Sequence, residues 1–177
     1  MATLKEQTQE KHTEAENLPF IKSIFENNVD VFKYTEYLYQ LAAIYYTLED
    51  FVGKKFNIFD NMPDLKRANA IRNDFGELML MDTSKEYHIK QSTIDYINYL
   101  NTIETEEKAM AHIYVRHMGD LFGGQQLAKL VPGSGTMYAF ENIETLIQEI
   151  RSKINDDMGP EAIVAFDYNI NIIKEFS

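Results

Sequence analysis

Cysteine is absent from the 177 residues. The chain therefore has no disulfide framework, no thiolate metal centre and no cysteine nucleophile, and a reducing compartment suits it. Basic side chains are scarce as well, 17 Lys and Arg against 28 Asp and Glu, a formal net charge of −11. Phosphate contacts need a basic face, so no nucleic-acid partner is expected. No stretch approaches the roughly 20 apolar residues of a membrane span. The opening MATLKEQTQEKHTEAEN lacks the apolar centre of a secretion signal, and the closing AIVAFDYNINIIKEFS is interrupted by Asp167, Asn169, Asn171 and Lys174. The expectation is a soluble cytoplasmic protein with no membrane partner.

Several chemical signatures are missing too. Gln9, Lys85, Ala109 and Tyr114 stand three residues before the four histidines, so the Glu-x-x-His pairs of diiron bundles are absent. There is no HExxH zinc helix, no glycine-rich phosphate loop and no serine elbow.

What is present reads as helix. A hydrophobic share of 45% and a charged share of 25% are those of a globular protein, and the length suits one domain over residues 1–177. Thr3 and Glu6 have the spacing of a capping box, and Leu4, Thr8, His12 and Ala15 share the inner face of the helix it opens. Asn17 and Pro19 end that helix, and a short one follows through Phe25. Asp30 caps a long helix over 31–55 with Leu38, Leu41, Ala42, Tyr45, Leu48 and Val52 inward, and Asp64 caps another over 64–80. Ser84 to Ile103 forms one helix or two short ones, with Tyr87, Ile94, Ile97 and Leu100 inward. After a turn at Pro132–Gly135 comes a helix over 142–156, ended by Gly159–Pro160. The last helix has Ile163, Phe166, Ile170 and Ile173 inward. With no strand alternation and no repeat, the fold class is all-α, seven or eight helices around one core.

The centre of the chain is Ala109–Val131, AMAHIYVRHMGDLFGGQQLAKLV. Met110, Ile113, Tyr114, His117 and Leu121 mark an amphipathic helix, yet Gly119, Gly123 and Gly124 fall within it beside Asp120. Each glycine there costs roughly 1 kcal/mol relative to alanine. Either the helix bends where its backbone meets something flat or bulky, or small residues serve a helix crossing. His12 likewise reads as a half-exposed histidine bonded to a neighbour, or as a ligand. A single protein ligand holds iron only when another group fills the remaining positions, as a porphyrin does.

Two motifs together resemble haem oxygenase: Lys5-Glu6…His12-Thr13-Glu14-Ala15-Glu16-Asn17, and Tyr114-Val115-Arg116-His117-Met118-Gly119-Asp120-Leu121-Phe122-Gly123-Gly124-Gln125. The helix order and the run from Arg151-Ser152 through Ala165-Phe166 to Asn169 are similar as well, so the likeness covers nearly the whole chain. The resemblance implies a haem-oxygenase-like bundle with a glycine-kinked distal helix. It makes His12 the proximal ligand of haem b iron, with Glu16 orienting it. Gly119, Gly123 and Gly124 would let the distal helix lie against the porphyrin. Asp120 would organise distal water, with Tyr45 and Arg116 in the same network. Lys5, Tyr114 and Arg151 would hold the propionates, while Phe166 and Asn169 line the wall. The implied activity is cleavage of haem, both substrate and cofactor, at the α-meso carbon to biliverdin, carbon monoxide and ferrous iron. It would use O2 and electrons from ferredoxin or a flavoprotein, and a bilin reductase could act downstream.

The chain departs from the family pattern at named positions. Phe122 replaces a usual serine, Gln9 and Ile147 stand where many relatives place propionate-binding lysines, and His117 replaces a common tyrosine and is not expected to ligate iron. The rival reading is a non-catalytic haem-binding or haem-sensing protein on the same fold. A thiamin-degrading enzyme on a similar scaffold would need a cysteine, and a plain helical interaction module would have no use for the glycines.

Overall fold

The chain opens with the expected capping box in the computed structural model, which describes residues 2–177. Thr3 Oγ1 accepts from the Glu6 amide and the Glu6 carboxylate accepts from the Thr3 amide, starting α1 (Leu4–Glu16). Pro19 sits at the start of α2 (Pro19–Phe25), where its missing N–H is no loss. Asp30 accepts from the Lys33 amide and opens α3 (Val31–Tyr46), which runs on through a π-helical turn, Thr47–Val52, and a last turn, Gly53–Lys55. Then come α4 (Ala68–Met79), α5 (Gln91–Leu100) and α6 (Glu106–Ile113). A second π-helical turn, Tyr114–Met118, joins α6 to α7 (Gly119–Leu127). Last are α8 (Ile143–Lys153) and α9 (Gly159–Lys174). The described residues contain no strand, and none of their helices is long and apolar enough to cross a membrane.

The core gathers on α3. Leu38, Ile44 and Leu48 are fully buried, as are Ile71 of α4, Ile113 of α6 and Ile172 of α9. Each such side chain contributes about 1.5–3 kcal/mol on leaving water. α3 packs along α4, and α9 packs along α1 and against α6, so α9 bridges the two sides of the molecule.

Three boundaries differ from expectation, the first two for a polar reason. Asp64 lies in a short 3-10 turn, Pro63–Leu65, and α4 starts only at Ala68. Its first free amides, Arg67 N and Ala68 N, are taken at 2.6 and 3.1 Å by the carboxylate of Glu49, which caps the helix from another element. Ser84–Lys90 is not helical, because buried groups of α3 hold that backbone: Gln40 donates to His88 O at 2.8 Å and accepts from Lys90 N at 2.9 Å, while Glu36 pairs with Lys90 at 3.0 Å. The inward face of α5 is then Thr93, Tyr96 and Leu100, and Ile94 is 39% exposed. Gly159–Pro160 opens α9 rather than ending α8, which stops at Lys153.

Candidate active site

Two π-helical turns frame the site. Each holds one residue more per turn than an α-helix and so re-aims the side chains around it. One follows Tyr45, the other precedes Gly119 and Asp120, so the irregularity of the central helix lies just before its glycines. Two hydrogen bonds tie these segments together. The Tyr45 hydroxyl donates to Asp120 Oδ2 and lies 3.5 Å from the Arg116 carbonyl. Deeper in, His117 Nε2 donates to Glu49 Oε2 at 2.9 Å. Glu49 already accepts from two amides, so the imidazole supplies the hydrogen.

Burial pushes the Asp120 carboxyl up to about 6, opposed by the Tyr45 hydroxyl and by the neighbouring His117, Arg116 and Arg67 side chains. The Tyr45 phenol is driven well up by burial and then by Asp120. Arg116 is buried with its guanidinium 5.2 Å above the Tyr96 ring, and its Nε and Nη2 have no protein partner. Tyr96 in turn contacts His112 Nδ1 at 2.7 Å, and His112 Nε2 lies 2.8 Å from Glu161 Oε2, which also accepts from the Tyr99 hydroxyl at 2.5 Å. Burial holds His112 low. It opposes ionisation of Glu161 too, yet the bonds from His112 and Tyr99 keep that carboxyl below its ordinary value. The neutral ring therefore donates to Glu161 and accepts from Tyr96, which fixes the phenol under Arg116. Buried N–H groups without protein partners need water or a ligand, and Arg116 holds its own beside Tyr45 and Asp120.

The glycines separate into two kinds. A Cβ on Gly119 would meet nothing within 4 Å, and one on Gly123 only Leu127 Cδ1 at 3.7 Å. Packing within the protein does not require either to be glycine. Gly124 packs on Tyr138, whose Cδ1 would lie 3.0 Å from an added Cβ. Gly119→Ala is therefore expected to make the free protein about 1 kcal/mol more stable while weakening haem binding. Gly124→Ala should lower stability through the Tyr138 contact. Thermal melts and haem titrations of the two variants check this opposition. Phe122, on the same helix, is 54% exposed and takes no part in the core.

Across from α7, His12 does not lie on the buried face of α1. Leu4, Thr8 and Ala15 are buried, but the His12 side chain is 52% exposed. Its Nε2 stands 3.2 Å from Glu16 Oε1, and its ring meets Phe166 of α9 edge-on at 6.2 Å. Asn169, one turn on from Phe166, has a buried Oδ1 with no protein partner. Tyr114 is half-buried and faces Thr8 of α1. Lys5 is exposed in the first turn of α1 and Arg151 in the last turn of α8. The structure thus joins His12, Glu16 and Phe166 into one group and Tyr45, Arg116 and Asp120 into another. His117 is fully buried and bonded to Glu49. Among the described residues no three His, Asp or Glu side chains gather as a metal site.

Glu49, Tyr96 and His112 were not singled out from the sequence. Glu49 had a legible signal, an acid one turn after Tyr45 between the inward Leu48 and Val52. His112 and Tyr96 had none, since their pairing depends on how α5 meets α6.

A family model described as Heme oxygenase matches residues 1–153. Heme oxygenase 2 of Rattus norvegicus is 31% identical, over 97% of this chain and 64% of its own length. The chain thus spans about 64% of that curated relative. The solved structure of heme oxygenase from Leptospira interrogans superposes with a TM-score of 0.83 at 28% identity, covering 97% of each chain. Heme oxygenase-1 from the cyanobacterium Synechocystis, solved in complex with heme, gives 0.84 at 23% identity over 97% of this chain and 89% of that one, a likeness of fold.

Proposed function

The chain belongs to the haem oxygenase family, and from that premise we propose that it binds haem between α1 and α7 and cleaves the ring oxidatively. The products are biliverdin, carbon monoxide and ferrous iron, with O2 as oxidant and electrons from ferredoxin or a flavoprotein. One observation carries this reading: Gly119 and Gly123 present bare backbone with open space above it, next to a carboxyl held by a buried tyrosine.

The residues present fit a flat iron porphyrin. His12 offers an accessible imidazole, and Glu16 orients it. Since Nε2 faces Glu16, holding the iron through Nε2 would require the ring to flip, with Nδ1–H then turned to the carboxylate. Phe166 covers one flank of that imidazole. Lys5, Arg151 and Tyr114 meet the propionates at the groove mouth, fewer cations than a chain with lysine at Gln9 and Ile147 would offer. Bound haem supplies the iron that activates dioxygen and the meso carbon that is oxidised. The chain supplies water and proton control. Asp120 and Tyr45 hold a water at Asp120 Oδ1 or Oδ2, the free N–H groups of Arg116 hold another, and Asn169 Oδ1 accepts from the α9 side. Asp120 would thus supply a proton by way of water rather than by direct side-chain contact, the mode of delivery that suits oxidation of the ring. Asp120 in this position supports the α-meso carbon as the point of attack. The bilin is a substrate for a downstream bilin reductase.

Haem titration followed by reductant and an iron chelator under air tests the proposal. A haem band that forms and then decays into a biliverdin spectrum is expected. A stable band that never decays would make the protein a haem binder without turnover, and no band at all would overturn the site.

A further inference from the structure

His117 is fully buried, and its two ring nitrogens have different fates. Nε2 donates to Glu49 Oε2 at 2.9 Å. Glu49 cannot swing away, because Arg67 N and Ala68 N at the start of α4 fix both its oxygens. A neutral ring so held keeps its hydrogen on Nε2 and turns Nδ1 inward as a lone pair. Nδ1 has no protein partner. Leaving a buried acceptor unpaired costs about 1–3 kcal/mol, and one ordered water removes that cost.

The ring is clasped by apolar surface on two sides, the Tyr45 ring at 4.9 Å and the Phe59 ring at 5.3 Å between centroids. The titratable and charged groups around it are few. Glu49 and Tyr45 come from the α3 rod, Arg67 precedes α4, and Arg116 and Asp120 flank it on its own rod. Nδ1 is thus a buried, unpartnered acceptor on a ring that packs against Tyr45, the donor to Asp120, and the adjacent Arg116 carries two more buried polar atoms without a partner.

We propose that His117, held by Glu49, anchors a buried water through Nδ1 and is a proton-holding, positioning residue for the Tyr45–Asp120 pair. A proton relayed through that water from the Asp120 carboxyl onto Nδ1 leaves the water intact, since it gives one hydrogen and takes another, and produces an imidazolium between the carboxylates of Glu49 and Asp120; the reverse transfer restores the acid and the neutral ring. No bond other than N–H and O–H changes. The tyrosine usual in haem oxygenases at this position carries a hydroxyl but no basic lone pair, so this chain has one titratable group more behind its acid. The effect on turnover rests on the haem-cleaving reading above; the water and proton site do not.

Two measurements test it. In the ligand-free protein with 15N-labelled histidine, His117 is expected to show the Nε2–H tautomer with a hydrogen-bonded Nδ1 whose signal shifts in Asp120→Asn. A free Nδ1 unmoved by that substitution overturns the proposal whether or not haem is cleaved. In turnover, His117→Phe is expected to lower kcat about 10-fold, with haem affinity unchanged and a larger solvent isotope effect, and His117→Tyr to recover part of the loss. Equal kcat and isotope effect in a folded His117→Phe protein overturns the role in turnover.

Discussion

His12→Ala lowers bilin formation by on the order of 100-fold or more while leaving the melting temperature of the ligand-free protein unchanged. The two halves of this expectation have separate causes. The imidazole is 52% exposed and reaches only Glu16 and Phe166, so its removal opens no buried cavity and strands no buried partner. Against haem it is the one accessible nitrogen donor on α1, and loss of groups that merely orient a metal ligand already costs 10- to 100-fold. The check is a haem titration read by absorbance, a turnover assay and a thermal melt on the same protein. Imidazole added to the solution should restore part of the haem spectrum and part of the turnover, because the place of the His12 side chain is reachable from solvent. A variant with a normal haem spectrum and normal turnover would remove His12 from the site.

The same exposure explains what the sequence could and could not disclose. The apolar periodicity that located α1, α3, α7 and α9 reports burial, and burial was read well for Leu38, Leu41, Leu48, Ile170 and Ile173. His12 shares that periodicity with Leu4 and Thr8, so it was expected to lie inward. Leu4, Thr8 and Ala15 of that stripe are buried on either side of it, while the His12 side chain between them stays 52% exposed. Boundaries failed where a polar side chain from a distant element takes over the backbone, as Glu49 does for α4 and Gln40 for the segment before α5. Such remote caps leave no local mark. The glycines were legible as a group but not individually: the open faces of Gly119 and Gly123 and the Tyr138 contact of Gly124 depend on what lies opposite each one. The buried network behind Asp120 was partly legible through the tyrosines of α3, whose hydroxyls need partners once inside. Its partners come from α5, α6 and the start of α4, which periodicity alone does not bring together.

Asp120→Asn carries the other large effect, and its sign follows from the direction in which the carboxyl is shifted. Burial raises its pKa to about 6, so the group passes from acid to carboxylate within the range in which the protein is assayed. Tyr45 donates to Oδ2, an arrangement that suits the carboxylate. Wild-type bilin formation should therefore fall as pH drops through about 6. In Asp120→Asn the yield should be lower by about 100-fold or more at every pH, with that limb gone. Haem binding persists in the variant, because Asp120 holds water rather than iron. Stability moves the opposite way. A carboxyl whose folded pKa lies above its ordinary value contributes most below that ordinary value, near 4, and loses its contribution as pH rises through about 6. The amide does not titrate and keeps an oxygen for Tyr45. Relative to wild type, Asp120→Asn should melt higher at pH 8 than at pH 4.5. Normal bilin yield in the variant would take Asp120 out of the mechanism. A melting difference that does not change with pH would mean that the carboxyl is ionised without cost, and that the network behind it does not hold the proton balance on which the turnover reading depends.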